Sequence, residues 1–147
     1  MKTKFVLLFL LSFLMSACSN ASSTQTTAVL SITDGVNAKT YTLADVQVLE
    51  QRSVDDKDVA YVGISLSVLL REAGFNPEAI TELQAIASDG FSATYTPEMI
   101  AQPDIILAYA RSDAPLTAEE APFRMVALGL GGKLNPRMVV ELRVTQP

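Results

Sequence analysis

Histidine is absent from the chain, and cysteine occurs once, at Cys18. Ser-His-Asp and Cys-His catalysis both need an imidazole base, so both are excluded. Zinc, copper and haem sites are usually built from His and Cys. What remains easy to build is an oxygen-ligand site for a hard cation. A lone cysteine forms no disulfide within its own chain. Basic residues are also scarce, 11 Lys and Arg against 16 Asp and Glu, for a formal charge of −5. Nucleic-acid binding needs clustered cations against phosphate, which argues against such a partner. The same shortage argues against electrostatic attraction to anionic lipid.

The apolar run from Phe5 to Met15 is broken only by Ser12. It is short of the roughly 20 residues that an ordinary membrane-spanning helix needs. With Lys2 and Lys4 ahead of it, the run fits the apolar region of a secretion signal. Met15-Ser16-Ala17-Cys18 follows, mostly small before the cysteine, and then the composition turns to Ser, Asn, Thr and Gln. This pattern resembles the bacterial lipoprotein box, with Met15 where a leucine is usual. The resemblance implies that Cys18 is acylated, with palmitate-type chains, and becomes the new N-terminus. Two or three acyl chains anchor stably where one is marginal. Ser19, rather than Asp, points by the same resemblance to the outer membrane where the cell has one. The protein is thus expected in the cell envelope, facing away from the cytoplasm, with the membrane as its partner through Cys18. An ordinary cleaved signal followed by an unrelated cysteine is the competing reading. The resulting organisation is a signal peptide at 1–17, an acylated cysteine and flexible tether at 18–27, and one domain at 28–147. The mature chain is long enough for a single domain with its own core, and is two lysines more acidic than the whole.

Within the domain, Ala28, Leu30 and Ile32 alternate with Val29 and Ser31, so residues 27–33 read as a strand. Asp34-Gly35 is a turn signal, and residues 39–42 return as a hairpin. Thr42 with Asp45 has capping-box spacing for a short helix over 43–46. Residues 47–54 alternate as a further strand. Asp55, Asp56 and Asp58 lack the spaced ligands of a calcium loop and read as a solvated turn. After an apolar segment at 59–64, Ser65 is placed to cap a helix over 66–73, whose Leu66, Leu69, Leu70 and Ala73 share one face. Gly74 and Pro77 end it. Strands are expected at 81–88 and 91–95 around an Asp89-Gly90 turn, with Phe91, Ala93 and Tyr95 on one face. A helix start lies at Thr96-Pro97-Glu98, with Pro103 as its stop. Further strands are expected at 104–110, 122–128 and 137–144, with a polar loop at 111–120 and a flexible connector at 129–132. Seven or more short strands with two or three short helices, and no long βαβ alternation, indicate an α+β domain with mixed, mostly antiparallel sheets.

Several of these stretches occur in an order found elsewhere. They are Tyr41-Thr42-Leu43, Gly63-Ile64-Ser65-Leu66 running on to Leu69-Leu70-Arg71-Glu72-Ala73-Gly74, Ser88-Asp89-Gly90-Phe91, Ile106-Leu107-Ala108, Pro122-Phe123-Arg124-Met125-Val126 and Val139-Val140-Glu141-Leu142-Arg143-Val144. Together they resemble the molybdopterin-binding domain of sulfite-oxidase-type oxidoreductases over residues 28–145. The resemblance implies an α+β domain built around β-sheets. It also implies a molybdenum held by the molybdopterin dithiolene and one protein cysteine. That cysteine is expected near Arg52-Ser53-Val54-Asp55-Asp56, where this chain has none and the loop is short. The family's Gly-Pro-x-Arg is Ala121-Pro122-Phe123-Arg124 here, and its following Pro-Gly is Leu128-Gly129.

Four residues carry over as lining of a possible ligand pocket: Ser53, Asp89, Arg124 and Lys133. Arg124 matches the motif arginine and can read an anionic or pterin-like ligand; pairing with Glu119 or Glu120 is its plainer role. Asp89 matches a conformational turn. Lys133 sits where relatives carry basic residues near the cofactor; an exposed lysine in a glycine-rich loop is its simpler account. Tyr41, Tyr61, Tyr95 and Tyr109 are candidates for a pocket lining or, more plainly, core-edge residues. The expectation is a membrane-tethered lipoprotein whose domain binds a ligand or assists a partner without catalysis, with no metal and no cofactor of its own. The alternative is a molybdopterin-dependent oxidoreductase, or its subunit, working without a protein thiolate and with a membrane redox or transport partner. Replacing Cys18 by Ala is expected to release the protein from membranes and abolish fatty-acid labelling; persistent labelling contradicts the lipid assignment.

Overall fold

The computed structural model describes residues 29–147. The expected signal peptide, Cys18 and the tether lie outside these residues. Nine strands and three short helices follow in order: β1 (Val29–Thr33), β2 (Ala38–Thr42), α1 (Leu43–Gln47), β3 (Arg52–Asp56), β4 (Val59–Ser65), α2 (Leu66–Glu72), β5 (Glu82–Ala87), β6 (Ser92–Tyr95), α3 (Pro97–Ile100), β7 (Ile105–Arg111), β8 (Arg124–Ala127) and β9 (Val139–Thr145). They form a five-stranded sheet, β2-β1-β9-β5-β6, and a four-stranded sheet, β3-β4-β7-β8. All pairings are antiparallel except β1 with β9, so the five-stranded sheet is mixed and the four-stranded sheet is wholly antiparallel. The expected α+β class with mostly antiparallel pairing is the observed one.

The alternation of β1 has a clear destination. Leu30 and Ile32 enter the main core, where Leu83, Ala85, Leu142 and Val144 of the same sheet meet Ile64, Leu107, Tyr109, Met125 and Ala127 of the other. The Leu66, Leu69 and Leu70 face of α2 packs into this core as well. β7 reads as a continuous apolar run because both of its faces are covered. Its Leu107 and Tyr109 face the main core, whereas Ile106 and Ala108 join a second cluster with Val54, Tyr61, Leu116 and Val126. Leu116 comes from the long β7–β8 connection, which therefore folds over the outer face of the smaller sheet. Gly63 lets β4 and β7 approach: a Cβ there would lie 2.2 Å from the Leu107 carbonyl oxygen, so no side chain fits without parting the strands.

Several boundaries differ from the sequence reading. The strand expected over 47–54 begins only at Arg52, because α1 runs through Gln47 and Leu49 N–H closes onto Val46 C=O at 3.2 Å. Asp55 and Asp56 are in β3, so the charged turn shrinks to Lys57 and Asp58, both at positive φ, which join β3 to β4 directly. The Thr42–Asp45 capping box forms as expected. Ser65 and Thr96 stand at their N-cap positions without a side-chain cap bond; Ser65 is still paired with Ile106 in the sheet when α2 begins. Phe91 falls outside β6 and is exposed. The connector after β8 ends in a tight 3-10 turn, Gly132–Leu134.

Candidate functional site

Charge is buried at one place in the described domain, under the β7–β8 connection. There Glu120 and Arg124 are 3% and 8% exposed. The backbone builds the constellation from four elements. β4 supplies Tyr61, which lies opposite Arg111 at the end of β7. β8 opens with Arg124, opposite Ala108 of β7. The connection supplies Thr117 and Glu120 from a turn in which Thr117 C=O accepts from Glu120 N–H and Ala121 N–H, each at 2.9 Å.

Every contact of the Glu120 carboxylate is with a donor. Its Oε1 accepts from Tyr61 Oη at 3.0 Å and from Arg124 Nη1 in a short bond. Its Oε2 accepts from Arg111 Nη2 at 3.0 Å, Thr117 Oγ1 at 3.1 Å and Thr117 N–H at 3.2 Å. Arg124 Nη1 also donates to Tyr61 Oη at 2.7 Å, and its guanidinium stacks 4.6 Å from the Tyr61 ring centroid. Asp56 lies 3.8 Å from Arg124 Nη2.

The electrostatics follow from that donor set. Burial alone would push the Glu120 carboxyl up. The bonds from Thr117, Tyr61, Arg124 and Arg111 outweigh it and hold the group at about 2. Burial, and then the hydrogen bond to Glu120, push the Tyr61 hydroxyl above the ordinary tyrosine range. A buried carboxylate with two guanidiniums is stable only as a set, because removing one partner strands an uncompensated charge.

A second feature adjoins the first. The Glu120 C=O accepts from Met138 N–H at 3.1 Å, and beyond this contact lies an open cavity of about 370 Å³. Asp89, Phe91, Glu119, Asn135, Pro136, Arg137 and Met138 line it. Glu119 therefore faces the cavity, 3.9 Å from Arg137, while its neighbour Glu120 turns inward.

Of the four residues expected to line one pocket, this cavity takes only Asp89. Asp89 lines the cavity, with its Oδ1 accepting from Phe91 N–H at 3.0 Å across Gly90. Lys133 is exposed on the 3-10 turn, two residues before Asn135. Ser53 is exposed on β3, opposite Val62. Arg124 is buried beside Glu120 and Tyr61. Tyr41, Tyr95 and Tyr109 belong to the main core, and only Tyr61 joins the charged set. Arg111 and Thr117 were missed. The Thr117-Ala118-Glu119-Glu120 spacing is that of a capping box and marks the contact between its ends.

Glu120 titrates lower in the folded chain than its ordinary 4.5. Its share of stability is fully present above that value and is lost as pH falls towards about 2. At 1.36 kcal/mol per unit, the loss is on the order of 3 kcal/mol. Urea unfolding from pH 6 down to 2 is expected to show this acid limb in the wild type and a flatter one in Glu120→Gln; equal slopes contradict the assignment.

Among the described residues, no group of three or more His, Cys, Asp or Glu is placed to hold a metal ion, and no helix is long and apolar enough to cross a membrane. Comparison with curated protein sequences returns no match. Among solved structures, the fold is similar to that of the sulfane dehydrogenase SoxCD from Paracoccus pantotrophus. The two share 21% identity at a TM-score of 0.67, over 81% of this chain and 38% of the other. The chain thus spans well under half the length of that relative, and the likeness is one of fold. Residues 21–147 match the family described as "Oxidoreductase molybdopterin binding domain", and with the whole described domain inside that match the chain belongs to this family.

Proposed function

We propose that the protein is a membrane-tethered extracytoplasmic lipoprotein whose molybdopterin-binding-type domain serves as a non-catalytic ligand-binding or accessory module. The observation that carries this reading is the state of Arg124, the motif arginine. Its guanidinium is neutralised within the chain by Glu120 and packed on Tyr61, with Asp56 on its other side. In this arrangement it offers little to an anionic ligand arriving from solvent.

The donor set supports the same reading. Residues 29–147 contain neither cysteine nor histidine. The loop where the family's thiolate is expected is reduced to Lys57 and Asp58 between paired strands. The residues present do not fit a molybdenum bound through a protein thiolate. The cavity beside Asp89, Phe91 and Arg137 has a volume in the range of small-molecule clefts, about 300–1,000 Å³, and offers an aromatic face with a guanidinium near it. That cavity also favours the second reading, in which molybdopterin is held without a protein thiolate and works with a redox partner in the membrane. The envelope location and lipid anchor rest on Lys2, Lys4, the 5–15 apolar run and Cys18.

Elemental analysis of mature protein, expressed in a host that makes the cofactor, separates the two readings. The expected result is no stoichiometric molybdenum and no pterin fluorescence released on denaturation. One molybdenum, or one released pterin, per chain overturns the non-catalytic reading.

A further inference from the structure

The donors around Glu120 have the composition of a receptor for a carboxylate, and they come from four different parts of the fold. Tyr61 belongs to β4, Arg111 to β7, Arg124 to β8 and Thr117 to the β7–β8 connection; Tyr61 is 59 residues from Glu120, and the other three lie within nine. Both carboxylate oxygens are served, Oε1 by Tyr61 and Arg124, Oε2 by Arg111 and by the hydroxyl and N–H of Thr117. The two guanidiniums also keep capacity in reserve, since Arg111 Nε and Arg124 Nε are buried with no hydrogen-bond partner among the described residues. An ordinary structural ion pair needs one cation per carboxylate. Here two cations, a phenol, a hydroxyl and an amide converge on one, which is the multi-donor geometry by which proteins bind free oxyanions.

We propose that Tyr61, Arg111, Thr117 and Arg124 form a carboxylate-binding site that the chain fills with its own Glu120, so that the site takes up a small external carboxylate once that side chain is removed. The backbones of three of the four donors are held by strand pairing: Tyr61 lies opposite Arg111, and Arg124 is in register opposite Ala108, whereas Thr117 lies on the connection. Truncation at Cβ therefore leaves a polar, positively charged space with its three strand-borne donors anchored, shaped for a carboxylate of one or two carbons. This site is distinct from the open cavity lined by Asp89 and Arg137. It also stands apart from the cofactor question, because its test involves no molybdenum.

The test is thermal unfolding of the wild type, Glu120→Ala and Glu120→Gln, each titrated with sodium formate against sodium chloride and against neutral formamide. The expected result is a lower Tm for Glu120→Ala that formate raises saturably, beyond its effect on the wild type and on Glu120→Gln, whose side chains fill the space. Chloride and formamide are expected not to reproduce the rise. A formate response equal in all three proteins, or matched by formamide, overturns the proposal. If Glu120→Ala is unfolded in plain buffer, recovery of the folded circular dichroism spectrum on adding formate supports the site, and failure to recover it overturns it.

Discussion

The smaller sheet depends on one buried carboxylate. Its outer face carries two arginines, which cannot sit against Val54, Ile106 and Val126 as uncompensated charges. Glu120 resolves this by bringing a single negative group into contact with both. The same side chain fixes the β7–β8 connection, because Thr117 and Glu120 close the turn that holds Leu116 over the apolar cluster. Pairing of the arginines and coverage of the sheet are thus one event, with Asp56, 3.8 Å from Arg124, supplying a second negative charge. A buried pair of this kind is poor evidence for extra stability over an apolar replacement, but losing one partner costs about 3–5 kcal/mol. The constraint therefore acts on which residues can change singly.

This constraint also shapes the functional reading. Family membership supplies a fold known for holding molybdopterin, yet fold alone does not fix chemistry. In this chain Arg124 is bound in the interior, and the cavity outside is lined by Glu119 with Asp89, Phe91 and residues 135–138. Glu119 and Glu120 divide between the two sides: one faces the open cavity with Arg137, the other the closed network with Arg124. A ligand meeting the surface there encounters Asp89, Phe91 and Arg137 rather than Arg124.

Much of the fold was legible because local chemistry and tertiary packing agree. The Thr42–Asp45 box, the Asp89-Gly90 turn and the leucine face of α2 each announce a feature that the structure keeps. Alternation in β1 named its buried face correctly at Leu30 and Ile32. Legibility fails where the deciding contact is distant. Nothing local shows that β3 waits until Arg52, since Gln47-Val48-Leu49-Glu50-Gln51 holds no glycine or proline to mark the break. The parallel pairing of β1 with β9 joins two ends of the domain, and no local pattern encodes it. At the site, Arg124 and its two candidate partners could be named, but the choice between Glu119 and Glu120 depends on how the turn at Thr117 sets their directions. Arg111 reads as the start of a polar loop, and only the pairing of β4 with β7 brings it beside Tyr61.

The account stands or falls on Glu120 and Arg124 being bound to each other rather than being separately available. A double-mutant cycle in urea at neutral pH, using Glu120→Gln, Arg124→Met and the double variant, measures this directly. The account predicts a coupling energy of at least about 2 kcal/mol, with the double variant less damaged than the sum of the singles. A coupling below about 0.5 kcal/mol, as for an exposed ion pair, would contradict it.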